Sequence, residues 1–129
     1  MTTAVFTHSS GLAHVTPPGH PERVDRLRAI NMVLDGPEFA ALDRREAPLA
    51  ERAEVLRCHP EDYVARVEAA VPTDGWASLD GDTHLSPGSM EAALRGVGGC
   101  VAAVDAVMAG EVANGFVAMR PPGHHAETE

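Results

Sequence analysis

The feature that most constrains this chain is a succession near its end. A run of small and aliphatic residues, 89–109, has the length of a helix, and Gly110 follows it. Then comes a short apolar run, Gly115-Phe116-Val117-Ala118-Met119, and after it Arg120-Pro121-Pro122-Gly123-His124-His125-Ala126-Glu127. The apolar run reads as a buried strand. Pro121 and Pro122 lack an N–H and end its pairing. Gly123 permits a sharp turn or a close approach by another group. Two histidines are thus delivered on a stiffened turn at the end of a strand, where open α/β sheets place their chemistry. Their side chains titrate nearest neutrality and can give or take a proton.

Composition narrows the class. At 129 residues and 44% hydrophobic, the chain suffices for one domain with a core and is not disordered. Ten Lys+Arg stand against 19 Asp+Glu, a formal charge of −9, which argues against a nucleic-acid surface. Cys58 and Cys100 are far apart, in no metal-binding spacing, and are expected to be reduced, small buried residues. No signal peptide and no membrane-length window is found, so a cytoplasmic protein is expected. Aromatic content is only 4%, so the core must rest on Ala, Val and Leu, which suits helices packed tightly on a parallel sheet.

Ala4–Thr7 reads as a first strand, followed by a long Gly/Pro/Ser loop to His20. His8, His14 and His20 in this loop fit no regular ligand spacing. Pro21 is expected to open a helix, with Glu22 in its first turn and Val24, Leu27, Ile30 and Leu34 on its apolar stripe; Gly36-Pro37 stops it. Residues 45–49 read as an edge strand, 51–57 as a short helix, and a further helix runs to about Ala70. His59, between these helices, is read as a capping or hydrogen-bonded residue. The stretch 71–83 is irregular, and Asp80 or Asp82 is expected to bond nearby N–H groups in a turn. Ser86 and Pro87 are expected to cap the long helix. Its stripe is read as Met90, Ala93, Leu94, Val97, Val101, Val104 and Met108. Gly96, Gly98 and Gly99 each cost a helix about 1 kcal/mol relative to Ala, tolerable where a neighbouring backbone packs close.

The segment Arg120–Ala126 resembles the signature of the histone deacetylase family, the zinc-dependent deacetylases that include acetylpolyamine amidohydrolases and acetoin-utilisation proteins. Gly19-His20-Pro21-Glu22 resembles the family's early Gly-His-Pro-Glu segment, and 56–64 a recurring Leu-x-x-His-x-x-x-Tyr segment. The resemblance implies an arginase/deacetylase-like open parallel sheet flanked by helices, incomplete here, with 1–129 as one partial domain, the N-terminal third of a catalytic domain. It implies His124 and His125 as the catalytic pair, His125 as base and acid and His124 as its electrostatic partner. It also implies Asp82 on a rim loop holding the substrate's backbone amide, and Arg26 near the foot of the active-site channel. The family's zinc ligands, two aspartates and a histidine, are not matched in this chain. Zinc is therefore expected in the complete enzyme and not tightly bound here. The implied substrates are acetylated lysine or polyamine amides.

By this resemblance the chain is an N-terminal portion, inactive alone. The alternative is a non-catalytic module that oligomerises or binds a partner, including a homodimer through the exposed edge of strand 115–119. A third option is a small metal-binding protein using His8, His14, His20 or His84.

Overall fold

A computed structural model describes residues 1–127. Strand β1, Thr3–Thr7, lies at the centre of a three-stranded sheet, with Ala4, Val5 and Phe6 all buried. Parallel strands flank it: β2, Asp43–Glu46, on one side and β5, Asn114–Ala118, on the other. A strand buried on both faces reads as a continuous apolar run, as β1 does. β5 is also an apolar run, but as an edge strand it is exposed from Asn114 to Phe116 and buried only at Ala118, not throughout as expected. β2 is an edge strand with alternating burial; it precedes Pro48, which cannot donate to a ladder. The second edge is β5.

Between the strands run α1, Val24–Leu34, α2, Arg52–Val55, and α3, Glu61–Ala70. The stretch read as irregular contains a small antiparallel hairpin, β3 Ala77–Ser78 with β4 His84–Leu85. The long helix α4, Ser89–Met108, ends where Gly110 takes a φ of 74°, and crosses back to β5.

Two helix starts differ from the sequence expectation, for the same reason. α1 begins at Val24 and not at Pro21, because residues 20–22 are bound into a turn: the Glu22 N–H donates to His20 Nδ1 (3.1 Å) and the Thr16 hydroxyl to the Glu22 carbonyl (2.6 Å). α4 begins at Ser89, because the Ser86 hydroxyl is engaged across the fold, accepting from the Val15 N–H (2.9 Å) and donating to the Ala13 carbonyl (3.2 Å).

The face of α4 that meets the sheet is also not the expected one. Small residues face inward: Ala92, Gly99, Ala103 and Ala106 are buried. The large apolar stripe turns toward the outside, with Val97, Val104 and Met108 exposed and Met90, Ala93, Leu94 and Val101 half-buried. Cys100 on this helix and Cys58 after α2 are exposed and not buried as expected, since neither faces the sheet. Large side chains would hold the helix away from the sheet. Small ones let it sit close, so that a Cβ on Gly99 would lie 3.0 Å from Val117 Cγ1 and 3.1 Å from Ala47 Cβ. The backbone that Gly98 admits is 48–50: a Cβ there would lie 2.0 Å from the Pro48 carbonyl oxygen. The resulting core is Ala4, Phe6, Ala47, Ala103, Ala106 and Val112, with Phe6 its one aromatic.

Candidate active-site cleft

An open cleft of about 740 Å³ lies beyond the carboxyl end of β5. One wall is the face of α3 carrying Tyr63, Arg66 and Val67; another is the β3–β4 hairpin; the third is the turn 121–127. Asp82, His124 and His125 all line it, so the hairpin and the double-histidine turn meet across one space. Arg26 does not line it. It stands on α1 with an exposed guanidinium, 3.2 Å from Glu22 Oε1.

The turn is anchored by Arg120, which is 2% exposed. Its guanidinium forms a two-pronged ion pair with Glu22, Nε to Oε1 at 2.8 Å and Nη2 to Oε2 at 2.8 Å. The third nitrogen donates to the Gly11 carbonyl (2.9 Å) and to the His14 carbonyl. Every face of this charge is thereby satisfied inside the fold, which a buried charge requires. Arg120 is the residue before Pro121, so it fixes the direction in which the chain leaves β5. Burial works to raise the Glu22 carboxyl, but the hydrogen bonds and charge of Arg120, with His14 and Arg26, outweigh it and hold the group below its ordinary range.

His14 lies against this pair, 3% exposed, with Nε2 3.6 Å from Glu22 Oε2 and Nδ1 2.6 Å from the Ser89 hydroxyl. Burial first, and the Arg120 charge second, push it down to about 4 against the pull of Glu22. It is therefore neutral at pH 7.

The rim is fixed by His20. Its Nδ1 accepts the Glu22 N–H (3.1 Å), so in the neutral ring Nε2 carries the proton and donates to the Asp82 carbonyl (3.0 Å). Asp80 is consumed by the loop itself: its carboxylate accepts the N–H groups of Asp82 and Thr83, both at 2.8 Å, and these hold it below its usual range. No such bond engages the Asp82 carboxylate among the described residues. Of the two acids, Asp82 is the one with a carboxylate left to offer.

His124 and His125 are exposed, their ring centroids 4.3 Å apart and tilted by 50°. Pro121, Pro122, Leu79, Leu85 and Val67 give the space around them an apolar lining. Among the described residues no three His, Cys, Asp or Glu side chains are placed to hold a metal ion. His59 stacks on Tyr63 between α2 and α3, ring centroids 5.1 Å apart, and does not line the cleft.

Sequence reasoning did not assign His14, His20, Glu22, Ser89 or the burial of Arg120 to the site. One segment, 20–22, grips both cleft loops: His20 holds the Asp82 loop and Glu22 holds the Arg120 turn. The signal was present in Gly-His-Pro-Glu, but its partners lie 62 and 98 residues away.

The histone deacetylase domain model matches residues 20–129. A histone deacetylase-like amidohydrolase of Pseudomonas aeruginosa is 41% identical over 115 residues, 86% of this chain and 30% of that protein. A probable deacetylase of Archaeoglobus fulgidus is 34% identical over 134 residues, 98% of this chain and 36% of that protein. The crystal structure of the HDA15 HD domain superposes with a TM-score of 0.90 at 30% identity, covering 99% of this chain and 38% of that one. The chain thus spans about a third of the length of each of these three proteins.

Proposed function

The chain belongs to the histone deacetylase domain family, and from that premise we propose that it supplies the acid/base pair and one rim of a deacetylase that hydrolyses acyl-lysine or acylpolyamine amides. The whole of 1–129 is one partial domain in this reading. The observation that carries it is the meeting of His124, His125 and Asp82 across a single apolar-lined cleft at a strand end.

Amide hydrolysis needs a base to take a proton from the attacking water and an acid to protonate the departing amine. In this reading His125 does both in turn: it accepts the water proton as the C–O bond forms and returns it to nitrogen as the C–N bond breaks. His124, its ring centroid 4.3 Å from that of His125, acts as the electrostatic partner in the site. Asp82 accepts a hydrogen bond from the substrate's amide N–H and sets its depth. Arg26 stands outside the cleft lining, so a role at a channel foot would require surfaces beyond those described. A zinc ion would polarise the carbonyl in a complete domain. The described residues form no donor set for it, so its ligands would come from elsewhere and no step is routed through it.

The test replaces the matched part of the Pseudomonas aeruginosa relative with residues 1–129. His125→Ala in that hybrid is expected to lower kcat by about 10²–10⁴ on an acetyl-lysine peptide, and Asp82→Asn to act chiefly on KM. The 129-residue chain alone is expected to release no acetate. Full activity of the His125→Ala hybrid would overturn the assignment. A second reading, a non-catalytic associating module, is favoured by the outer edge of β5, which pairs with no strand among the described residues. A chain that self-associates, and whose hybrid is inactive with His125 intact, would decide for it.

A further inference from the structure

The outward face of α4 carries a regular pattern that neither the core nor the cleft uses. Met90, Leu94, Val97, Val101, Val104 and Met108 are spaced by four, three, four, three and four residues. That is the a/d spacing of a helix-packing seam. Val97 is 38% exposed, Val104 61% and Met108 81%, while Met90, Leu94 and Val101 are half-buried. With small residues on the sheet side, α4 is apolar on opposite faces, which is the mark of a helix buried between two layers. The seam widens at Leu49, 50% exposed, which the 48–50 segment holds over Gly98.

Charge decides the occupant. Glu91 and Asp105 each directly follow a seam residue, Met90 and Val104, so both acids stand on one flank; Glu91 is paired within the helix with Arg95, 3.7 Å away. Asp105 has no ion-pair partner among the described residues. A second copy would bring a further formal −9 against this one. A basic-flanked helix would not meet that repulsion. The matched relatives extend well beyond the shared part, since this chain covers 30% and 36% of them.

We infer that the outer seam of α4 seats an apolar helix from the completing part of the deacetylase domain, with Lys or Arg opposite Asp105. This rests on reading the chain as one third of such a domain. Cys100 is a built-in reporter: it is exposed and directly precedes seam residue Val101. Cys58, exposed in the turn after α2, is the reference.

The 129-residue chain is co-expressed with the part of the Pseudomonas aeruginosa relative outside the matched region, and alkylation of both cysteines by iodoacetamide is followed by mass spectrometry. In the complex, Cys100 is expected to react at least about tenfold more slowly relative to Cys58 than in the chain alone. Val104→Asp, placed outward, is expected to leave the melting of the isolated chain unmoved and to abolish both protection and co-purification. Unchanged Cys100 reactivity in the complex overturns the inference. So do a Val104→Asp chain that remains protected, a failure of the two parts to co-purify, and protection that grows with concentration of the chain alone. Acetate release by the complex tests the function separately: a protected but inactive complex sinks the catalytic reading and leaves the seam. An active complex with reactive Cys100 does the reverse.

Discussion

Acidification is expected to loosen the anchor of the double-histidine turn through His14. This ring is 3% exposed and neutral in the folded chain, its pKa moved from 6.5 to about 4 by burial and by Arg120. Unfolding exposes it to water, where it binds a proton near 6.5. The unfolded state therefore takes up the proton first as pH falls. The contribution of His14 to stability is complete above pH 6.5 and is lost between 6.5 and about 4. The slope is about 1.4 kcal/mol per pH unit, which gives a total of about 3 kcal/mol. That is a large share of the roughly 5–15 kcal/mol that holds a domain folded. Glu22 acts in a lower window: its carboxyl is depressed in the folded chain, so its contribution is present above its ordinary value of 4.5 and falls away below it. The measurement is the urea midpoint between pH 7.5 and 4, for the natural chain and for His14→Asn, whose amide can take over the Nδ1 contact with Ser89. The natural chain should lose stability across this range and His14→Asn should hold nearly level. Parallel acid limbs for the two proteins would refute the assignment of this window to His14.

Two glycines in one helix should respond in opposite directions. Gly98→Ala places a Cβ 2.0 Å from the Pro48 carbonyl and 2.7 Å from the Ala50 N. The resulting overpacking, about 1–3 kcal/mol, should outweigh the ~1 kcal/mol gained in helix propensity and lower the Tm. Gly96→Ala meets nothing closer than Met119 Cβ at 3.8 Å and should raise the Tm. Glu22→Gln strips the buried Arg120 of its counter-charge and should cost about 3–5 kcal/mol in chemical denaturation. Arg26→Gln removes an ion pair whose guanidinium side chain is 55% exposed and should cost well under about 1 kcal/mol.

Much of the fold was legible locally. β1, β5 and α3 fall where apolar runs and breakers placed them, and Gly110 stops α4 as expected. The face of α4 was not legible, because periodicity reports that a stripe exists and not which neighbour it meets. Two stripes run along this helix, and the bulkier one drew the sequence reading. The sheet took the smaller one because close approach is what a core of alanine, valine and glycine can offer.

The motif at the end of β5 proves to have two halves with opposite physical demands. His124 and His125 must be open to a substrate, and in this chain they are exposed. Open side chains on a turn cannot fix their own position. Arg120 is the inverse: shut away, multiply bonded, and tied to Glu22 and to two carbonyls of the early loop. The cleft needs its rim set by the same reference as its proton carriers, or the distance between Asp82 and the histidines would drift. Residues 20–22 provide that reference, since His20 holds the Asp82 loop while Glu22 holds the Arg120 turn. Pro21 between them fixes the backbone φ, so the two grips cannot easily move apart. An early segment that reads as the start of a helix is instead the brace on which both sides of the cleft are measured.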